Sequence, residues 1–279
     1  MIDLHIHSTF SDGSQTPEQL VAQGVKIGLT ALALTDHDNA AGVERFMAAC
    51  RESPLRGIPG VEVSVDCDNG SMHILGYFID PKNPNLCKLL GGIQDHRAER
   101  NREILKHLVR LGLSITMEEV ASRAGGEVVG RPHFAQALRD RGYVKTFDEA
   151  FKNYLSRGKP AYVERVRQSP AEGIEMIRNA GGVAVLAHPF TLTGGRETLR
   201  RLVKGLAADG LQGIEVYYPR HTGKMMRFYT KLAKEFNLVI TGGTDYHGAP
   251  MPDIMLGSGF GSLNVPDELV DQLAARRPA

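Results

Sequence analysis

The chain of 279 residues has no tryptophan, 6% aromatic residues and three cysteines. Cys50, Cys67 and Cys87 show no Cys-x-x-Cys spacing. An odd, scattered set of thiols argues against a disulfide framework and fits a reducing, cytoplasmic compartment. No run of 18 apolar residues occurs, so no membrane span is expected. The amino terminus lacks a basic segment followed by a long apolar run, so no signal peptide is expected either. An excess of one charge is also missing: 33 Lys and Arg stand against 32 Asp and Glu, a net charge of +1. No global polyanion-binding surface is implied. Internal repeats and low-complexity tracts are absent. What is plentiful is apolar residues, 42% of the chain, enough for a substantial core in one large domain or a domain with an insertion.

Short apolar runs alternate with amphipathic segments. "IDLHI" reads as a strand, followed by a helix over "TPEQLVAQGVKIGL" with Thr16 as its cap and Pro17 in its first turn. "ALALT" is a strand, "NAAGVERFMAACRE" a helix and "IPGVEVSV" a third strand, and the Asp-Asn-Gly that follows predicts a hairpin turn. The alternation returns late in the chain with "GVAVLAH", "RETLRRLVKGLAA", "GIEVY", "KMMRFYTKLAKEF" and "LVITGG". Strands alternating with helices predict an α/β fold with a parallel sheet or barrel. Between His96 and Arg167 the pattern is helical, as in "RAERNREILKHLVRLG", which closes on Gly112. The expected organisation is a β/α scaffold over residues 1–95 and 168–279, interrupted by a helical insertion over 96–167.

Residues suited to metal ligation gather at the predicted strand ends. They are His5 and His7, Asp12, His37 in "LTDHD", Glu62 in "GVEVS", His73 in "MHILGY", His188 in "LAHPF", and Asp245 and His247 in "GTDYH". Side chains two apart on a strand share a face, so His5 with His7, and Asp245 with His247, can point into one site. The C-terminal strand ends of a β/α barrel form its active-site mouth. Any one of these histidines, taken singly, is an ordinary hydrogen-bonded residue. Six imidazoles and three carboxylates together cannot be packed as a core, because buried charges must be paired or bind metal. His96 and His107 lie on the predicted insertion helix and are expected to be solvated.

In order and spacing, His-x-His, Ser-Asp-Gly, Thr-Asp-His, Gly-x-Glu, His-x-Leu-Gly, Ala-His-Pro and Asp-x-His resemble the polymerase and histidinol phosphatase (PHP) family. The motifs run from residue 2 to residue 247. The resemblance implies a distorted (β/α)7 PHP barrel holding two to three divalent metal ions. It implies that His5, His7, Glu62 and Asp245 hold the first metal. Glu62 would bridge to a second, completed by His73 and His188, and Asp12, His37 and His247 would hold a third. Many members have His at the position of Asp12. The aspartate, the helical insertion and the segments "GRPHFA", "AFKNYLSRGKPAY" and "GIEVYYP" resemble the subgroup acting on nucleoside 3',5'-bisphosphates and short RNA 5' ends.

Phosphate ester hydrolysis fits the ligand set independently. Neighbouring cations acidify a bridging water and stabilise the attacking and leaving oxygens, so no Ser or Cys nucleophile is needed. Mixed His and carboxylate ligands suit Mn, Fe or Zn alike. Residues 96–167 carry 15 Lys and Arg against 9 Asp and Glu, whereas the remainder carries 18 against 23. A basic segment thus accompanies an acidic barrel. Arg131 and His133, at a predicted helix start, are expected to bind a substrate phosphate. His221 is a weaker candidate for a substrate or leaving-group contact, and Arg100 and Lys159 are further possibilities. The favoured function is a metal-dependent phosphoesterase acting on a nucleoside 3',5'-bisphosphate or a short RNA as substrate, with no membrane partner and no stable nucleic-acid complex. Alternatives are a histidinol-phosphate-type phosphatase, disfavoured because a monophosphate needs fewer cations, and a non-catalytic metal-bound domain, disfavoured because all nine ligand positions are filled.

Overall fold

A computed structural model describes residues 1–124, 128–164 and 168–278. In chain order the first half contains β1 (Ile2–Ile6), α1 (Pro17–Lys26), β2 (Ala31–Leu34), α2 (Val43–Arg51), β3 (Arg56–Val65), β4 (Met72–Tyr77), α3 (Pro84–Arg110), α4 (Met117–Ala121), α5 (Arg131–Asp140) and α6 (Phe147–Ala150). There follow α7 (Pro170–Asn179), β5 (Val183–Leu186), α8 (Gly195–Ala208), β6 (Gly213–Tyr217), α9 (Gly223–Glu235), β7 (Val239–Gly242) and α10 (Leu269–Ala274). The seven strands form one sheet in sequence order. β1, β2 and β3 are parallel, β4 is antiparallel to both neighbours, and β5, β6 and β7 are parallel again. The sheet curls so that the segment after β7 returns to β1, where His7 N–H donates to the Tyr246 carbonyl at 2.9 Å and Asp245 N–H to that of His5 at 2.8 Å. This is the curled seven-stranded β/α architecture expected of a distorted barrel, with β4 as the distortion.

Local chemistry accounts for these elements. The Thr16 hydroxyl accepts from Gln19 N–H while the Gln19 side chain accepts from Thr16 N–H, a capping box with Pro17 behind it. Strands such as β1, β2 and β5 are buried along their whole length, as expected where both sheet faces are covered. One face contributes Leu4, Ala33, Leu75 and Val185 to a cluster closed by Leu269 and Leu273 of α10. The other face, with Val61, Ile74, Leu186 and Ile214, packs on Ile177, Val203 and Leu232 of α7, α8 and α9. The Asp-Asn-Gly segment does link an antiparallel pair, but in a six-residue connection between Val65 and Met72 rather than a two-residue turn.

The helical region has its own apolar cluster, built from Ile104, Leu108, Phe134, Leu138 and Leu155. One helix belongs to both cores. α3 buries Leu86, Leu90 and Ile93 against the barrel, then Ile104 and Leu108 in the second cluster, and so runs unbroken through residue 96. Its first half contains Gly91 and Gly92, a helix-weakening pair, which hides its true start at Pro84, capped by Asn83. The expected end of the insertion, Arg167, lies outside the described residues. His96 is exposed, whereas His107 is half-buried with Nδ1 shielded from solvent, so the expectation of two solvated histidines is corrected for His107. Among the described residues no helix is long and apolar enough to cross a membrane.

Candidate metal centre and active site

The nine strand-end residues converge. Glu62, buried on β3, lies at the centre with its two carboxylate oxygens facing different partners. Oε1 lies 2.9 Å from both His73 Nδ1 and His188 Nε2. Oε2 lies 3.4 Å from His5 Nε2 and from His7 Nε2, and 2.8 Å from His37 Nδ1. Asp245 Oδ1 stands 3.4 Å from His5 Nε2 and 3.0 Å from His7 Nε2. On the outer side His247 Nε2 lies 3.2 Å from Asp12 Oδ1, and His37 Nε2 3.8 Å from Asp12 Oδ2.

Three groups have ligand atoms within 4.8 Å of one another: His5, His7, Glu62 and Asp245; His37, Glu62 and His73; and His7, Asp12, His37 and His247. The first is the quartet expected from sequence. In the second, His37 stands beside Glu62 and His73, and His188 reaches Glu62 Oε1, the oxygen that His73 faces. In the third, His7 joins the expected trio.

The donor set fits divalent cations. His5 Nε2, His7 Nε2, Asp12 Oδ1, His37 Nδ1, Glu62 Oε2 and Asp245 Oδ1 are all buried and make no hydrogen bond. Buried polar atoms are normally satisfied, and six orphans facing one another mark a place built for something else. Two ligands about 2.1 Å from one tetrahedral ion lie roughly 3.4 Å apart, which is the spacing found around His5, His7, Glu62 and Asp245. The imidazoles are held with the required nitrogen inward. His5 Nδ1 donates to Glu215 Oε1 at 3.0 Å and His247 Nδ1 to the Asp245 carbonyl at 2.8 Å, turning each Nε2 toward the cluster, where neighbouring carboxylates raise both imidazoles against burial so that a cation must displace a proton. Burial drives His7 down to about 3, helped by His247 and His37, so it is neutral and able to ligate. Burial opposes ionisation of Glu62, but His37, His73 and His5 hold its carboxyl well below the usual range. Burial also opposes protonation of His37, yet Glu62 and Asp12 raise it to about 10, so a cation binding there must displace a proton.

Buried acids fix the loops that carry these ligands. Asp36 accepts from Ser8 N–H at 2.7 Å, Ser8 Oγ at 2.6 Å and Ser11 Oγ at 2.5 Å, which shapes the turn presenting Asp12. Asp3 accepts from Thr244 N–H at 2.8 Å, Thr244 Oγ1 at 2.5 Å and Gly257 N–H at 2.9 Å, which sets the segment bearing Asp245 and His247. Burial outweighs these donors and pushes both carboxyls up to about 6. His188 (φ +21°) and Asp245 (φ +56°) adopt left-handed backbone, a strain of roughly 1–3 kcal/mol each that the surrounding contacts must hold. The sequence reading missed Glu215 and Tyr218. Glu215 also accepts from His188 N–H at 2.7 Å, and the Tyr218 hydroxyl donates to Asp245 Oδ2 at 2.9 Å. A carboxylate inside the apolar strand "GIEVY" was the available signal.

The cluster opens into a cavity of about 800 Å³, with Asp12, His37, His73 and His247 on the barrel side and Arg97, Arg100, Arg131 and His133 on the helical side. A second cavity of about 590 Å³ shares Arg100 and Arg131 as its boundary. Arg131 donates to the Leu155 carbonyl at 3.2 Å and lies over the Tyr162 ring at 5.3 Å. His133, on the first turn of α5, accepts from Gly130 N–H at 3.0 Å. Arg100, which by sequence resembles any surface charge, is buried. Lys159 lines neither cavity. His221 lies apart from the cavity wall. Its Nδ1 donates to the Val216 carbonyl at 2.8 Å, its Nε2 is buried without a hydrogen bond, and its ring packs among Phe190, Tyr218 and Tyr229.

Six imidazoles and three carboxylates at the mouth of a curled β/α sheet, faced by arginines, define a metal-dependent phosphoester hydrolase. The PHP domain model matches residues 3–164, and the chain belongs to the PHP domain family. It is 37% identical over 247 residues to a 3',5'-nucleoside bisphosphate phosphatase of Chromobacterium violaceum, covering 88% of this chain and 87% of that protein. A 5'-3' exoribonuclease of Escherichia coli is 35% identical over 261 residues, covering 91% of this chain and 87% of the relative. Among solved structures, an amidohydrolase from Chromobacterium violaceum with bound sulfate and no metal superposes with a TM-score of 0.83 at 34% identity, covering 100% of this chain and 98% of that one.

Proposed function

We propose that the protein removes the 3'-phosphate of nucleoside 3',5'-bisphosphates and trims short oligoribonucleotides from the 5' end. The observation that carries this reading is the pair of walls around one cavity, metal-ligand side chains on one side and Arg100 and Arg131 on the other. A substrate with a single phosphate needs only the first wall. A second phosphate, at the far end of a ribose, finds cationic donors in the second. The names of the two relatives support the same substrate class.

In this reading His5, His7, Glu62 and Asp245 hold one divalent ion, and Glu62 bridges to another completed by His73 and His188. Asp12, His37 and His247 hold a third. Two to three ions of Mn, Fe or Zn suit these donors, and when bound they would acidify a water and neutralise phosphate charge. The residues of the chain do the rest. Glu215 orients His5, Tyr218 orients Asp245, and Arg131 and His133 hold the phosphate that is not cleaved, so that the ester bond faces Glu62 and Asp12. The helical region over 96–167 serves as the substrate cap. Three free thiols suit action in the reducing cytoplasm.

A panel of adenosine 3',5'-bisphosphate, histidinol phosphate and a short 5'-phosphorylated RNA, assayed with Mn²⁺, tests the reading. Phosphate or nucleotide release from the first and third, well above the second, is expected. Preference for histidinol phosphate would overturn it in favour of a small-metabolite phosphatase.

A further inference from the structure

The acidic balance of the barrel hides a basic exception. α8 and α9 together carry Arg196, Arg200, Arg201, Lys204, Lys224, Arg227, Lys231 and Lys234 against Glu197 and Glu235. These charges are not scattered round the helices. Arg196 and Arg200 lie one turn apart on α8, and Lys224, Arg227 and Lys231 follow the i, i+3, i+7 row of α9. Both rows line one groove of about 650 Å³, with Phe228 on its floor. Glu235 is the single acid there and is engaged by Arg200. Among the described residues no carboxylate forms an ion pair with Arg196, Lys224, Arg227 or Lys231. Five cations sharing one acid repel one another, and nothing in the packing of α8 and α9 against the sheet requires them, because Val203, Leu206, Leu232 and Ala233 supply that contact.

The groove starts at the rim of the metal site. α8 and α9 begin just after the C-terminal ends of β5 and β6, the edge on which the ligands stand. His188 follows β5, and its ring meets Phe190 and Tyr218, which in turn meet His221, two residues before α9. From Lys224 to Lys231 the row descends about 10 Å along the outer wall. Arg196 lies over the Phe228 ring at 5.3 Å, a flat cationic surface of the kind that stacks on bases.

We infer that the α8–α9 groove is a binding track for the backbone of single-stranded RNA, gripping the portion of an oligoribonucleotide that extends beyond the nucleotide being removed. The inference rests on the exoribonuclease half of the proposed function. It gives the enzyme a length-dependent grip: a bisphosphate contacts only the cavity, and a longer chain also engages the groove.

The triple variant K224A/R227A/K231A tests it, with the single Lys231→Glu as a second variant and thermal unfolding as a check on folding. Binding of a 5'-phosphorylated oligoribonucleotide of about 12 nucleotides is followed by fluorescence anisotropy against salt. The triple variant is expected to bind roughly 10-fold or more weakly at low salt, with a log–log salt slope shallower by about 2, since each neutralised phosphate contributes about 0.7 on a single strand. Its kcat/KM for adenosine 3',5'-bisphosphate should be unchanged. Wild-type affinity and slope in the variant would overturn the track, as would an equal loss on the bisphosphate. Retained RNA binding with lost binding to phosphatidylserine vesicles would overturn it in favour of a membrane surface. Failure of the wild type to cleave the oligonucleotide would remove the exoribonuclease reading, while the anisotropy measurement would still judge the groove.

Discussion

Replacing Arg131 with alanine separates recognition of the second phosphate from the metal chemistry. The guanidinium stands on the cavity wall opposite the ligand cluster, at the first position of α5. A charge-assisted hydrogen bond to a phosphate contributes about 1.5–3 kcal/mol, which is roughly a 10- to 150-fold loss in kcat/KM for adenosine 3',5'-bisphosphate. The loss should fall mainly on KM, because the contact is present before the ester bond breaks. p-Nitrophenyl phosphate carries no second phosphate and should lose far less. Arg131 also donates to the Leu155 carbonyl and rests on Tyr162, contacts worth about 0.5–1.5 and 0.5–1 kcal/mol. A modest drop in Tm is therefore expected, and Arg131→Lys, which keeps the charge, should recover part of the bisphosphate activity. Metal content, measured on the same preparations, should match the wild type. Equal losses on both substrates, in proportion to the drop in Tm, would refute the phosphate contact and leave Arg131 as a brace within the helical region.

Glu62→Gln should bind fewer divalent ions per chain and lose most activity, because its two oxygens face separate imidazole sets; full metal content with full activity would refute the bridging role. Glu215 is not itself a candidate ligand, yet Glu215→Gln should weaken metal affinity roughly 10- to 100-fold by releasing the His5 ring and the His188 backbone, read by chelator competition. Phe134→Ala empties the centre of the helical cluster and should cost about 3–5 kcal/mol locally, so limited proteolysis should cut that region while the barrel keeps its metals. In the native protein Ellman's reagent should label exposed Cys87 readily and leave Cys50 untouched until unfolding, since burial pushes that thiol up to about 11 despite nearby Arg51.

The clustering of the candidate ligands was readable from sequence because these residues break a pattern. Histidines and acids at the ends of apolar runs have few structural uses, and period two on a strand makes His5 and His7 co-facial without further information. The strand-helix alternation was readable for the same reason: strong caps such as Thr16 and Pro17 mark the boundaries. The supporting acids were harder. Asp3 lies in no motif and Asp36 is the middle residue of Thr-Asp-His with no role of its own assigned, and only the three-dimensional return of Thr244, Gly257, Ser8 and Ser11 reveals what they hold. The first half of α3 went unread because Gly91 and Gly92 weaken the local helix propensity, which tertiary packing of Leu90 and Ile93 overrides. Charge totals misled in one respect. An average over the barrel cancelled the basic rows of α8 and α9 against acids elsewhere, and only their placement on one groove separates them.

Because α3 is anchored in two cores, it works as a lever. Ile93 is its last apolar contact with the barrel, Gln94 and Arg97 still bond Asp38 beyond it, and Arg100, at the cavity, lies about 10 Å past Ile93 along the same rod. A tilt of only about 6° at Ile93 carries Arg100 roughly 1 Å sideways, a displacement of the size that can cost about 100-fold in rate. Residues with no view of the substrate, Leu86, Leu90 and Ile93, thereby set the spacing between the ligand cluster and the arginine wall. Changes of side-chain volume at those three positions would retune which distance between two phosphates the enzyme accepts, a route to altered substrate choice that leaves every ligand in place.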